Sequence, residues 1–347
     1  MEYIGRGTIS NLRNVIKGRV LLFTQNCIYN IFSSSLIPQF EGCDVVFYTN
    51  ITENPKREEI KQAQVNFKNQ NFDVIVAFGG GSVIDFAKAF RFYDYREVPL
   101  IAIPTTAGTG SQATQFAVVY INGKKTSLDN PKILPDFVIA DSQFVECAPR
   151  YLKACSAIDA YCQAIESFWA VKATDESKKY ALEAIEICRD YIVQAVNTND
   201  PKANEMMVKA AHLAGKAINI SRTTAAHALS YKITSKYNIP HGHAVALSIA
   251  NLLIANSQVS ADNCIGVQGY LYIQYQINKI LKIIGCEDPK SFKEYWNELL
   301  KNIGLEYNIN NLGIIDIESI VNSVNVQRLN NNPCRLLKKD LFEILIY

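Results

Sequence analysis

The 347-residue sequence has no apolar run approaching the length of a membrane span. Its first residues, MEYIGRGTIS, contain no apolar stretch of the kind a secretory leader needs. Net charge is nearly absent: 35 Lys and Arg against 33 Asp and Glu leave +2, which gives no electrostatic reason to expect nucleic acid or an anionic membrane as partner. No CxxC pair occurs. The nine cysteines are scattered and odd in number, so they read as small buried hydrophobes in a reducing compartment, not as a disulfide framework or a zinc cluster. Repeats and low-complexity segments are also missing. These absences lead us to expect a cytoplasmic protein.

What is present is ordinary globular composition, 48% hydrophobic and 20% charged, in a chain long enough for two domains with substantial cores. The first 145 or so residues alternate short β-branched runs with amphipathic stretches. GRVLLFTQN (18–26), CDVVFYTN (43–50), FDVIVAFGG (72–80) and PLIAIPTT read as strands. NCIYNIFSSSL, REEIKQAQVNFKNQN (57–71) and SVIDFAKAF read as the helices between them. Continuous apolar strands separated by helices imply a parallel sheet buried on both faces. Beyond Asp141 strand signals vanish, and residues 150–168, 175–196, 201–219, 222–236, 241–257, 267–284, 288–303 and 337–346 all fit helical spacing. The Asn-rich stretch 308–313 reads as a loop. The expectation is an α/β, Rossmann-like domain over 1–148 and an all-α domain over 149–347.

Gly79, Gly80, Gly81 and Ser82 sit where a buried strand hands over to a helix. Glycines there permit positive φ and let a phosphate approach free N–H groups at the helix start. Asp85 and Lys88 lie one and two turns into that helix. The spacing is not G-x-G-x-x-G, and taken alone such a turn is a weak sign. A second loop, Ile103 to Ser111, leaves the next strand end with four hydroxyls and two glycines in nine residues. Ligands of open α/β sheets bind outside the carboxyl ends of the strands, so both loops would face one crevice. A dinucleotide is favoured over a pair of plain turns.

In the helical half, Asp159 and Gln163 are four apart and share a helix face. His227 and His241 are separated by 14 residues, and Pro240 places His241 in the first turn of a helix. Each histidine alone is more often a structural residue than a ligand. Three of the chain's four histidines fall within 17 positions, however. On residue chemistry alone a metal and a structural role stand about level.

At these residues the chain resembles the iron-containing (group III) alcohol dehydrogenases. AFGGGSVIDFAKAF, PLIAIPTTAGTGSQAT, DAYCQAIES and AAHALSY…NIPHGHA occur in that family's order, and the resemblance runs from about residue 4 to the carboxyl terminus. It implies the dehydroquinate synthase-like fold, with Gly79 to Ser82 on the pyrophosphate of NAD(H) or NADP(H) and Asp85 close by. It further implies Thr105, Thr106, Thr109 and Ser111 along the nucleotide and nicotinamide, and Lys124 near the cofactor. Asp159, His227 and His241 would hold a divalent metal, Fe2+ by preference and Zn2+ in some members. Homo-oligomers, dimers by default, are also implied.

Three positions depart from the family pattern. Gln163 stands where a histidine is the usual fourth ligand. Tyr231 replaces a histidine four residues after the first, a candidate in proton relay. Gln25 replaces a strand-end aspartate that repels the 2′-phosphate of NADP, so NADP(H) becomes acceptable. In detail the chain is most similar to the phosphonoacetaldehyde reductase branch, on QAIES, the compact amino terminus, AINISRTTAAHALSY and PHGHAVAL. That branch implies reduction of phosphonoacetaldehyde to 2-hydroxyethylphosphonate, with Arg222, Lys232 and His243 as candidate cations for the phosphonate. Solvated helix charges are the competing account of the first two.

Three other readings compete. A short-chain alcohol or diol dehydrogenase of the same family shares every motif. A dehydroquinate synthase-like lyase shares the architecture, but its site is richer in lysine and arginine than residues 159–243 of this chain. A non-catalytic nucleotide binder is favoured only by Gln163.

Overall fold

The computed structural model describes residues 1–95 and 97–346. The chain divides into two compact units, Met1–Ala148 and Pro149–Tyr347.

The first unit runs β1 (Glu2–Ile4), α1 (Leu12–Val15), β2 (Arg19–Phe23), α2 (Asn26–Leu36), β3 (Asp44–Tyr48), α3 (Arg57–Asn66), β4 (Val74–Gly79), α4 (Gly81–Asp94), β5 (Leu100–Pro104), β6 (Phe116–Ile121), β7 (Lys124–Asp129), β8 (Phe137–Ala140) and α5 (Gln143–Glu146). Six strands form one parallel sheet in the order β1-β8-β5-β4-β2-β3. Strand β4 is buried along its whole length, as a central strand covered on both faces must be. Its side chains alternate between two cores. Ile75 and Ala77 join Phe86 and Phe90 of α4 on one face. Val74, Val76 and Phe78 join Phe32 of α2 and Phe144 of α5 on the other. Edge-to-face aromatic contacts tie both layers together, Phe23 to Phe90 at 5.0 Å and Phe78 to Phe144 at 4.9 Å.

Strand β2 has β3 on one side and β4 on the other, so the winding reverses there. Open parallel sheets bind ligands at such a point, outside the carboxyl ends of the strands. The glycine turn follows β4, and Gln25 follows β2.

The four expected strands are present, and four further ones join them. β1 and β8 extend the sheet at one edge. β6 and β7 form a separate antiparallel hairpin in which Ile121 pairs with Lys124. Its turn is Asn122-Gly123, with φ of +50° and +73°. Two consecutive positive φ values define the tight turn whose twist suits a hairpin, and Asn-Gly is its preferred sequence.

The second unit is helical: α6 (Arg150–Trp169), α7 (Asp175–Asn197), α8 (Pro201–Ser221), α9 (Ala225–Tyr237), α10 (His241–Ser257), α11 (Tyr270–Ile284), α12 (Pro289–Ile303), α13 (Ile317–Asn322), α14 (Val326–Leu329) and α15 (Lys338–Ile346). Eight follow the expected spans to within three residues at either end; α13 and α14 are additional. Local chemistry sets the ends. Asp200 accepts from Ala203 N ahead of Pro201, and Asp288 accepts from Ser291 N ahead of Pro289. Gly285 and Gly304, both left-handed, stop α11 and α12. Helix α6 is central, with α7, α8 and α10 packed around it, and it is buried almost continuously from Ala154 to Trp169. Among the described residues no helix is long and apolar enough to cross a membrane.

Candidate functional site

In the first unit the glycine turn closes β4 with Gly79 and opens α4 with Gly81. The expectation that these glycines exploit positive φ is not met: Gly80 has φ −71°, and none of the three lies among the positive-φ residues. Space is the reason instead. A Cβ on Gly79 would lie 2.5 Å from Val83 Cγ2, and one on Gly81 would lie 2.8 Å from Thr109 Oγ1. Gly80 is the roomier position, with Thr106 no nearer than 3.6 Å. Helix starts of this kind leave N–H groups without an intrahelical acceptor, which is the chemistry an anion needs.

The second loop continues from β5 beside that turn, Thr105 N donating to Gly79 O at 3.0 Å. Asp85 and Ser111, expected near the nucleotide, are bonded to each other, and Asp85 also accepts from Val118 N at 2.9 Å. Lys88 is fully buried and donates to Ser111 O, to Ser111 Oγ at 3.0 Å, to Thr114 Oγ1 at 3.1 Å and to Phe116 O at 3.0 Å. Burial pushes this lysine down to about 8, against the opposing pull of Asp85. Burial likewise raises Asp85, opposed by Lys88, Ser111, Val118 and Lys125. The visible work of Asp85, Lys88 and Ser111 is therefore to lock the hydroxyl-rich loop onto α4.

Ser82 accepts from Asn54 N at 3.2 Å. Thr105 is buried, Thr106 half-buried and Thr109 exposed. Lys124 is exposed beside the hairpin turn, and it is Lys125 whose charge acts on Asp85. The Gln25 amide donates to Ile51 O at 2.9 Å, across the carboxyl ends of β2 and β3.

The second unit gathers its polar residues from three helices. Asp159, Gln163 and Glu166 share one face of α6; His227, Ser230 and Tyr231 come from α9; His241 opens α10. Ligand atoms of Asp159, His227 and His241 all lie within 4.8 Å of one another. His227 Nε2 is 3.5 Å from Asp159 Oδ1, and the two imidazole rings are 5.4 Å apart. Asp159 Oδ1, His227 Nε2 and Gln163 Oε1 are buried without a hydrogen-bond partner. Buried polar atoms normally have one, and three orphans in one cluster fit a cation. Two imidazoles, a carboxylate and an amide oxygen form a donor set suited to Fe2+ or Zn2+.

Sequence reasoning missed the group that orients this set. Glu166 is fully buried, and its Oε1 accepts from Thr224 N at 3.1 Å, Thr224 Oγ1 at 2.6 Å and Ala226 N at 2.9 Å. Its Oε2 meets His227 Nδ1. The carboxylate thus caps the start of α9 and fixes the imidazole with Nε2 toward Asp159, as the outer carboxylate of a metal-binding histidine does. A helical spacing of seven from Asp159 was the available signal. Burial works against protonation of His227, but Glu166 and Asp159 together outweigh it and hold this histidine up at about 9. Burial raises Asp159, yet His227, His241 and Gln163 outweigh it and pull the carboxyl below its usual range. His241 Nδ1 meets Ser230 Oγ at 3.2 Å, and Ser230 in turn donates to His227 O at 2.8 Å. Gly242 allows this proximity: a Cβ there would lie 2.0 Å from Cys155 O and 2.7 Å from Asp159 Cβ.

Tyr231 stacks on His241, ring centroids 5.8 Å apart at 12°, and its hydroxyl accepts from Arg328 at 2.5 Å. Arg328 was not anticipated; it arrives from α14, 97 residues on. The expectation for His243 is corrected. Two residues along a helix turn it about 200° from His241, and its nitrogens meet Tyr151 OH at 3.0 Å and Glu306 O at 2.6 Å. Burial holds it below the usual histidine range, so it is a structural residue. Lys232 is partly exposed on α9. Arg222 ends α8 at φ +65° and ψ 176°, a backbone rare outside glycine. Asn331 holds that turn, donating to Ser221 O at 2.8 Å and Thr223 O at 3.0 Å. The strain delivers Thr224 to Glu166.

Residues 2–142 match the family profile described as iron-containing alcohol dehydrogenase, and residues 153–346 match the carboxyl-terminal profile of the Fe-containing alcohol dehydrogenase family. The chain is 29% identical to phosphonoacetaldehyde reductase of Streptomyces viridochromogenes over 61% of its length, a match spanning 60% of that protein. It is also 29% identical to the NAD-dependent methanol dehydrogenase of Bacillus methanolicus, over 69% of the chain and 70% of the relative. In fold it is similar to a crystal structure of sulfoacetaldehyde reductase from Bifidobacterium kashiwanohense in complex with NAD+, with TM-score 0.87, 24% identity, and coverage of 99% of this chain and 96% of that one.

Proposed function

The chain belongs to the iron-containing alcohol dehydrogenase family, and on that premise we propose that it is an NAD(P)H-linked aldehyde reductase acting on phosphonoacetaldehyde. The observation that carries the reading is the cluster of orphaned buried atoms on Asp159, Gln163 and His227 beside His241. A divalent metal held by these four residues supplies, when bound, Lewis-acid polarisation of the carbonyl oxygen. The nicotinamide cofactor supplies the hydride.

The chain's own residues do the rest. Gly80 and the start of α4 take the pyrophosphate, and Thr105, Thr106 and Thr109 line the nucleotide. Glu166 keeps His227 in the tautomer that presents Nε2. Tyr231 Oη accepts from Arg328, so its own proton is donated elsewhere. It is a candidate proton source for the product alkoxide, alongside a water or the cofactor ribose.

The phosphonate assignment is supported by one relative whose name gives a two-carbon aldehyde carrying an anionic group. Arg328, Arg222 and Lys232 are the candidate cations for it. A second reading, reduction of unsubstituted short-chain aldehydes, is favoured by the methanol dehydrogenase relative. A cytoplasmic homodimer is the accompanying expectation, checked by light scattering and fractionation.

The test loads purified protein with Fe2+ or Zn2+ and follows NADH and NADPH absorbance with phosphonoacetaldehyde, propanal and formaldehyde. Turnover highest with phosphonoacetaldehyde is expected. Equal turnover on all three moves the substrate to the second reading, and no turnover by protein of confirmed metal content ends the proposal.

A further inference from the structure

Two segments of the carboxyl-terminal unit, far apart in sequence, meet at one antiparallel bridge, Cys264 against Cys334. Ile265 N donates to Pro333 O at 3.0 Å, and Arg335 N donates to Asn263 O at 2.8 Å. These bonds flank the cysteines without joining them, which makes Cys264 and Cys334 a non-hydrogen-bonded pair. In such pairs the Cα atoms lie about 4.5 Å apart and the side chains approach most closely. That spacing falls inside the roughly 4.4–6.8 Å that a disulfide spans without backbone movement. Neither is in a disulfide: the Cys264 thiol donates to Gly266 O at 3.6 Å and the Cys334 thiol to Ala255 O at 3.9 Å, weak bonds that a side-chain rotation gives up.

The pair is held in place from one side. Asn332 is fully buried and donates to Asn256 Oδ1 at 2.8 Å and to Cys334 O at 2.9 Å. Asn256 returns a bond to Asn332 Oδ1 at 3.3 Å, so the turn carrying Cys334 is fastened to α10. Asn331, three residues before Cys334, clamps the turn ahead of α9. Cys334 is buried, and Cys264 is partly exposed.

We infer that Cys264 and Cys334 are a thiol modification site, at which a small-molecule disulfide oxidises the pair to an intrachain cross-strand disulfide. The Cys264 thiolate attacks one sulfur of the small disulfide, breaking its S–S bond and releasing one small thiolate. Cys334 loses its proton to solvent and attacks Cys264 Sγ, forming the protein S–S bond and releasing the second small thiolate. Two protein thiols are oxidised, and one small disulfide is reduced to two thiols. The order follows from access. Burial, with Cys264 and Asp340 nearby, pushes the Cys334 thiol up to about 11, so the partly exposed Cys264 reacts first.

Wild-type protein treated with glutathione disulfide and digested without reduction tests this, with the exposed Cys27 and Cys147 as references for reaction extent. A linked 264–334 peptide pair, two hydrogens lighter than the separate peptides and lost with dithiothreitol, is expected. The melting temperature should rise by roughly 5–10 °C, and Cys264→Ser should abolish both effects. A lasting glutathione adduct on Cys264 overturns the inference. So does a link to another cysteine, or two unreacted thiols once Cys27 and Cys147 are modified.

Discussion

Glu166 and His227 form a buried pair in which one carboxylate oxygen meets Nδ1 of the imidazole while the other caps the start of α9. The orientation of the candidate ligand and the position of its helix thus depend on one side chain. Glu166→Gln keeps the shape but lets its amide nitrogen compete as a donor, so His227 can no longer be held in one tautomer. Affinity for Zn2+, titrated calorimetrically, should fall about 10–100-fold while the helical circular dichroism is unchanged. Unaltered affinity would reduce Glu166 to a helix cap.

Gly242 makes a sharper demand. Its α-carbon sits so close to α6 that a methyl would lie 2.0 Å from Cys155 O. Backbone cannot rotate out of the way, so α10 must move and take His241 with it. Gly242→Ala is expected to cost about 2–4 kcal/mol in urea unfolding and to abolish stoichiometric metal binding. A variant of wild-type stability that still binds metal would show that α10 has room to shift.

Lys88 should leave a signature in alkaline solution. Its folded value of about 8 lies below the ordinary lysine value of 10.5. Between those two values the unfolded chain binds more protons than the folded one, so this group makes stability rise with pH. Below about pH 8 it contributes a constant penalty, and above about 10.5 none. Denaturation midpoints from pH 7.5 to 10.5 should therefore climb more steeply for wild type than for Lys88→Met. Parallel profiles would place the lysine's charge in water.

Gln25 bears on the choice of nucleotide. Its amide donates to Ile51 O at the carboxyl end of the sheet. Gln25→Asp introduces a negative charge where the 2′-phosphate of NADPH is proposed to lie. KM for NADPH should rise at least roughly tenfold with little change for NADH, since each decade corresponds to about 1.4 kcal/mol. Matched changes for both nucleotides would remove Gln25 from the selectivity argument.

These tests fall unevenly on what the sequence made legible. Helix spans in the second unit could be read because apolar spacing and local stops such as Asp200-Pro201 and Gly285 agree. β1 has three residues and pairs with a strand more than 130 positions away, Glu2 against Val138, so nothing local announces it. The hairpin was announced, by Asn122-Gly123, but the polar KKTSLD strand after the turn masked it. Among the site residues, type and spacing left a metal and a structural role about level for Asp159, His227 and His241, and only the family resemblance singled them out as ligands. Glu166 looks like any helix charge until its partners arrive from a turn 58 residues later. Arg328 was beyond reach for the same reason, because its link to Tyr231 spans 97 residues.

Arg328 is also where the substrate proposal can be pressed hardest. Its guanidinium lies 4.9 Å from the Tyr231 ring centroid, and that ring stacks on His241. No ion pair engages it among the described residues. Arg222, by contrast, hydrogen-bonds Asn219 O and sits in a strained turn whose evident task is to deliver Thr224 to Glu166. If Arg328 receives the phosphonate, Arg328→Met should raise KM for phosphonoacetaldehyde about 10–100-fold, the worth of a charge-assisted contact of about 1.5–3 kcal/mol. KM for propanal should stay within about twofold, because an uncharged aldehyde has nothing to lose there. Arg222→Ala should instead act on both substrates alike, through the turn and the metal ligands it supports. A phosphonate-selective loss in Arg222→Ala with none in Arg328→Met would exchange the two roles. Equal effects of Arg328→Met on both aldehydes would leave it as a prop for Tyr231 and take away its support for an anionic substrate.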